Sequence, residues 1–140
     1  MELKMLRDDL AGFLVEAFPQ VHEDFEVEAV APHEITIRLK VAERHLRPGG
    51  TVSGPSMFSL ADVSMYLGIL AMIGPEALAV TTNGSIDFMR KPVAGRDLIG
   101  VARINKLGKV LAVGQVLIYS EGSDEPVAQS SMTYSIPPKR

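Results

Sequence analysis

The 140-residue chain has no cysteine and no tryptophan, and aromatic residues make up only 6% of it. Without thiols it has no disulfides, no thiolate metal ligands and no cysteine nucleophile. The histidines, His22, His33 and His45, are scattered without ligand spacing, so no metal site is expected. Basic residues are not in excess. A net charge of −3 and a pI of about 5.6 give no electrostatic footprint for nucleic acid. No uninterrupted apolar run is long enough to span a bilayer, and the opening MELKMLRDDL is too charged for the apolar core of a signal peptide. These absences point to a cytoplasmic protein that binds neither membrane nor nucleic acid. Repeats and low-complexity segments are missing as well, and the length suits one domain over 1–140.

What is present centres on the stretch from Arg47 to Glu76. Pro48 and the glycines after it read as a loop, and Gly54-Pro55 opens a helix, because proline at a first helical position gives up no intrahelical bond. From Met57 onward the residues are apolar or small almost all the way round, as in a buried helix. Asp62 is the one charged side chain between Arg47 and Glu76. A lone carboxylate on a buried helix costs several kcal/mol or more unless it is paired, hydrated or neutralised. Asp62 therefore has a partner or lines a cavity where it works.

Either side of this helix the periodicity changes. Leu3, Leu6, Leu10, Phe13, Leu14 and Ala17 recur at helical spacing and predict an amphipathic helix within 1–20, ended by Pro19. Alternation from Phe25 to Ala29 and from Ile35 to Val41, across the turn Ala31-Pro32-His33-Glu34, predicts a hairpin. After Gly74-Pro75, four strands are expected within 78–90, 97–106, 110–120 and 127–136. An all-round apolar helix followed by an antiparallel meander suggests an α+β domain whose sheet curls round that helix. Ala61, Ser64, Gly68 and Ala71 recur at helical spacing and would let the sheet approach closely.

The segments GPSMFSLADVSMY, AVTTNGSIDFMRKP and INKLGKVLAVGQVLI, in that order, resemble the hotdog-fold acyl-CoA thioesterases of the phenylacetyl-CoA thioesterase type, over residues 25–136. The resemblance implies a hotdog fold: a curled antiparallel sheet wrapped round a long buried helix. It implies hydrolysis of an acyl-CoA thioester to free acid and coenzyme A, with no metal or organic cofactor. Asp62 matches the acidic residue that activates water or attacks the carbonyl. Gly54 matches the glycine whose N–H polarises that carbonyl, and Thr81 a hydroxyl residue that positions the water or the acid. Arg90, Lys91 and Lys109 stand where relatives meet coenzyme A phosphates, and Arg47, Ser53 and Asn83 are further substrate-binding candidates. The plain alternatives are a carboxylate hydrogen-bonded without chemistry, a glycine kept for backbone freedom, and solvated strand-end charges.

Spacing adds an inference of its own. Eight helical residues put Gly54 and Asp62 about 12 Å apart along the axis, whereas an oxyanion donor and a base must both stand about 3 Å from the same reacting group. If both work, the site joins Gly54 of one copy to Asp62 of another, and the protein is a dimer or dimer of dimers, as the family's members are. The chain departs from the family's usual His-Gly-Gly, with an Asn six residues earlier: it has Ser53-Gly54-Pro55, with Arg47 at the Asn position. Pro55 offers no N–H there. A non-catalytic acyl-CoA-binding protein and a hydratase or dehydratase on the same fold are the rival readings.

Overall fold

The computed structural model describes residues 2–138. In chain order the elements are α1 (Arg7–Ala17), β1 (Phe25–Ala31), β2 (Glu34–Leu39), a 3-10 turn (Glu43–His45), α2 (Gly54–Ile73), β3 (Val80–Phe88), β4 (Leu98–Leu107), β5 (Leu111–Ser120) and β6 (Pro126–Ser135). The six strands form one antiparallel sheet in the order β1-β2-β4-β5-β6-β3, curled round α2 as expected.

Helix α2 is the core. Between Leu60 and Met72 every residue except Asp62 is buried. The inward rows Ile35, Ile37 and Leu39, Leu98, Ala102 and Ile104, and Ala112, Val116 and Ile118 are buried with it. Contrary to the sequence expectation, α2 is long and apolar enough to cross a membrane by length and composition, since one carboxylate barely lowers the mean hydropathy of so apolar a helix. Here 72% of that apolar stretch is buried inside the fold.

Small residues on both sides set the sheet-to-helix distance. A Cβ on Gly68 would stand 3.1 Å from Ile35, and one on Gly100 would stand 2.8 Å from Ser64 Oγ. Gly114 is tightest: a Cβ there would lie 2.5 Å from the Arg103 carbonyl oxygen and 2.5 Å from Met65 Cε. A strand carbonyl cannot swing away as a side chain does. Gly114→Ala is therefore expected to destabilise the fold by about 3 kcal/mol, lowering Tm by about 10 °C. A thermal melt within about 2 °C of wild type would contradict this packing.

Two expectations need correction. The amphipathic helix begins at Arg7 rather than near residue 2, because the Lys4 and Met5 N–H groups donate to the Ala71 carbonyl at 2.7 and 3.2 Å. That satisfies an end of α2 whose last carbonyls have no helical partner, and it leaves Leu6 outside the core at 59% exposure. The last four strands are also not a simple meander. β4, β5 and β6 are, but β3 pairs with β6 at the far edge and β4 returns to β2. Helix α2 carries the chain across the sheet. The segment after β3 then crosses back over the strand ends, with Met89 N–H donating to Val127 O at 2.8 Å and Val93 N–H to Ser120 Oγ at 2.9 Å. Asp97 closes the crossing by accepting from Val41 N–H at 2.9 Å and Arg38 at 3.0 Å.

Candidate active site

Helix α2 and edge strand β3 run in opposite directions, and their contacts advance in step. A Cβ on Gly54 would meet the Phe88 ring at 3.1 Å, one on Gly84 would meet Phe58 at 3.2 Å, and Thr81 Oγ1 donates to Asp62 Oδ1 at 2.5 Å. Residues 54, 58 and 62 share one helix face at four-residue spacing. That face lies along β3 from its end to its start.

Asp62 is thus the half-buried residue in an otherwise buried stretch, and it is partnered. Besides Thr81, the buried Tyr134 hydroxyl donates to the same Oδ1 at 2.7 Å and also lies 3.1 Å from the Asp62 main-chain oxygen. Thr81 and Tyr134 are register partners across β3 and β6, so both hydroxyls reach the helix from adjacent strand positions. Burial pushes the Tyr134 hydroxyl far above the usual phenol range, and the neighbouring Asp62 charge adds to this, so it remains a neutral donor. Sequence reasoning missed Tyr134. Its signal was the β3–β6 pairing, which a meander order does not supply.

The helix N-terminus holds the second feature. Ser53 is the N-cap: its Oγ accepts from Ser56 N–H at 3.3 Å and its own N–H donates to His45 O at 2.8 Å. Pro55 has no N–H. Among the described residues, this leaves Gly54 N–H as the donor of the first turn without a hydrogen-bond partner. Such a donor, at the positive end of the helix dipole, suits a developing negative charge. The preceding loop is anchored through buried His45, whose Nδ1 accepts from Ala42 N–H at 2.9 Å and whose Nε2 faces Asp24 Oδ2 at 3.4 Å. Burial lifts the Asp24 carboxyl, but hydrogen bonds from Arg44 and His45 outweigh this and hold it below its ordinary value.

The remaining candidates are dispersed. Arg47 is exposed in the loop before α2, and Ser53 is occupied as the cap. A register shift between Thr81 and Asn83 bulges β3 at Thr82. Gly84 then faces Phe58 and Met132, and Asn83 is exposed on the opposite face from Thr81. Arg90 and Lys91 follow the end of β3, where Arg90 pairs with the Pro126 carbonyl and lies 3.6 Å from Glu125. Lys109 is on the β4–β5 turn at the other end, since Leu111 and Val80 both register with Ser135. One chain therefore brings together Asp62, Thr81 and Tyr134, but neither Gly54 with Asp62 nor Lys109 with Arg90. A groove of ≈ 450 Å³ between α1 and β1, and one of ≈ 170 Å³ beside Pro55 and Ser56, both lie away from Asp62.

Comparison with known proteins gives a consistent result. Residues 49–127 match the family model described as the thioesterase superfamily. A crystal structure of a candidate thioesterase from Silicibacter sp. TM1040 superposes with a TM-score of 0.92 at 64% identity, covering 99% of this chain and 96% of that one. The phenylacetic acid degradation protein PaaI of Thermus thermophilus superposes with a TM-score of 0.73 at 28% identity, covering 85% and 99%. Among curated proteins, acyl-coenzyme A thioesterase 13 of Mus musculus is 28% identical over 123 residues, 86% of each chain.

Proposed function

The chain belongs to the thioesterase superfamily and is a hydrolase of thioester bonds, and we propose that it cleaves acyl-coenzyme A thioesters in a site built by two copies. The observation that carries this reading is the pair of features on one face of α2: a carboxylate held by two hydroxyls, and a free N–H two helical turns away. The relatedness to acyl-coenzyme A thioesterase 13 supports coenzyme A as the thiol half of the substrate.

Edge strand β3 supplies the geometry for two copies. Its outer edge has no partner strand among the described residues, and Val80, Phe88 and Met89 on or beside it are 56%, 52% and 42% exposed. An unpaired apolar edge is a template for another strand. Antiparallel pairing of β3 with β3 of a second copy, about a two-fold axis through Ser85, sets Phe88 of one copy opposite the Thr81–Thr82 bulge of the other. Because Gly54 travels with Phe88, and Asp62 with Thr81, each Gly54 N–H then faces the other copy's Asp62. The same pairing brings Arg90 and Lys91 of one copy toward Lys109 of the other, forming a cationic locus for coenzyme A phosphates.

In this site Asp62 takes a proton from water as the water oxygen adds to the thioester carbonyl, or its own oxygen adds directly and water hydrolyses the resulting anhydride. The carbonyl oxygen becomes an oxyanion and accepts from Gly54 N–H of the second copy. Collapse breaks the C–S bond. On the general-base route the thiolate leaves as coenzyme A with the proton that Asp62 took up; on the nucleophilic route it leaves as the anhydride forms and gains its proton from the water that hydrolyses the anhydride. No metal or organic cofactor enters this chemistry. Thiol release from aromatic and short- to medium-chain acyl-CoA esters is the test. Turnover is the expected result, and binding of coenzyme A esters without turnover would contradict it.

A further inference from the structure

Asp62 has two carboxylate oxygens, and the fold treats them differently. Thr81 Oγ1 and the Tyr134 hydroxyl both donate to Oδ1, at 2.5 and 2.7 Å. A carboxylate oxygen has about two lone-pair positions, so Oδ1 is fully engaged. Among the described residues, Oδ2 accepts from no donor.

We infer that Tyr134 is a positioning residue, which, together with Thr81, saturates Oδ1 and so makes Oδ2 the oxygen that meets water or the thioester carbonyl. The inference rests on Asp62 being the reactive carboxylate. Tyr134 is suited to this duty by its surroundings. It is 3% exposed, and its ring packs at 6.1 Å from Tyr66, one turn beyond Asp62. Tyr66 is itself fixed by a hydrogen bond to Ala77 O at 3.1 Å and by the Phe13 and Phe18 rings, at 6.3 and 6.0 Å. The hydroxyl thus reaches Asp62 from a rigid base. Its second contact, to the Asp62 main-chain oxygen, fixes it against the helix as well as the carboxylate. With one oxygen clamped, the carboxylate cannot turn about its Cβ–Cγ bond, and reacting groups need to be held to within about 1 Å for full rate.

Tyr134→Phe keeps the ring and removes the donor. It is expected to lower kcat about 10- to 100-fold, with KM for the acyl-CoA ester nearly unchanged and the oligomer intact. The same substitution in an Asp62→Asn background should cost little more, because Tyr134 acts through the carboxylate. Thr81→Val, which strips the other donor from the same oxygen, is the companion variant. It should show the same split of kcat against KM, and it reads out the clamp even if Tyr134→Phe does not fold. Unchanged kcat in folded Tyr134→Phe, or an equal loss with and without the Asp62 carboxylate, overturns the inference. If Asp62→Asn itself retains turnover, the reading of Asp62 as the reactive carboxylate fails instead, and the two failures are told apart.

Discussion

Asp62→Asn is expected to lower kcat by about 10³-fold, within the range that a positioned acid–base group contributes, while leaving fold and assembly unchanged. The substitution is nearly isosteric. The amide oxygen still accepts from Thr81 and Tyr134, so the contacts between α2, β3 and β6 persist. What is lost is the unpartnered Oδ2 with its negative charge, the atom that takes the proton or attacks. Removing a charge from a helix whose neighbouring residues are all buried should leave Tm unchanged or slightly raised. The measurement pairs steady-state thiol release with a thermal melt and a size determination. Turnover within about tenfold of wild type would remove Asp62 from the chemistry.

Gly54→Pro should be nearly as damaging, with a loss in kcat of about 10²- to 10³-fold, the effect of deleting one oxyanion donor. Proline takes away the N–H and little else. The position is the first of the helix, where proline is accepted, and no existing hydrogen bond is broken. Ser53, at φ −75 and ψ 157, already has the extended backbone that proline requires of the residue before it. A Cβ at this position would meet the Phe88 side chain, at 3.1 Å. Gly54→Ala makes the same contact with Phe88 and keeps the N–H, so the difference between the two variants isolates the donor. Equal kcat in both would show that the N–H does not stabilise the transition state.

Much of this architecture was legible in the sequence. The buried helix announced itself because its apolar residues run all round it, and the strands because alternation between Phe25 and Val41 separates two faces. Asp62 stood out because a lone charge in such a helix demands an explanation. Less legible was anything fixed by pairing between distant strands. Local alternation does not say which strand neighbours which, so the transfer of β3 to the edge beside β6 was invisible, and Tyr134 with it. The bulge at Thr82 reverses the strand's facing without a proline or glycine to mark it, and it turns Asn83 away from Thr81. Leu3 and Leu6 have helical spacing, but the Lys4 and Met5 N–H groups between them serve the end of α2 instead. In each case a long-range hydrogen bond overrode a local pattern.

The central claim is that two copies share each site, and mixing the two inactive variants tests it most directly. Asp62→Asn and Gly54→Pro chains, carrying different affinity tags, are produced together and the mixed dimers isolated by both tags. In a mixed dimer one site carries both defects and the other carries neither, so about half of wild-type turnover should return. Mixed dimers as inactive as either parent would mean that Gly54 and Asp62 do not meet across the interface, and the shared site would be wrong.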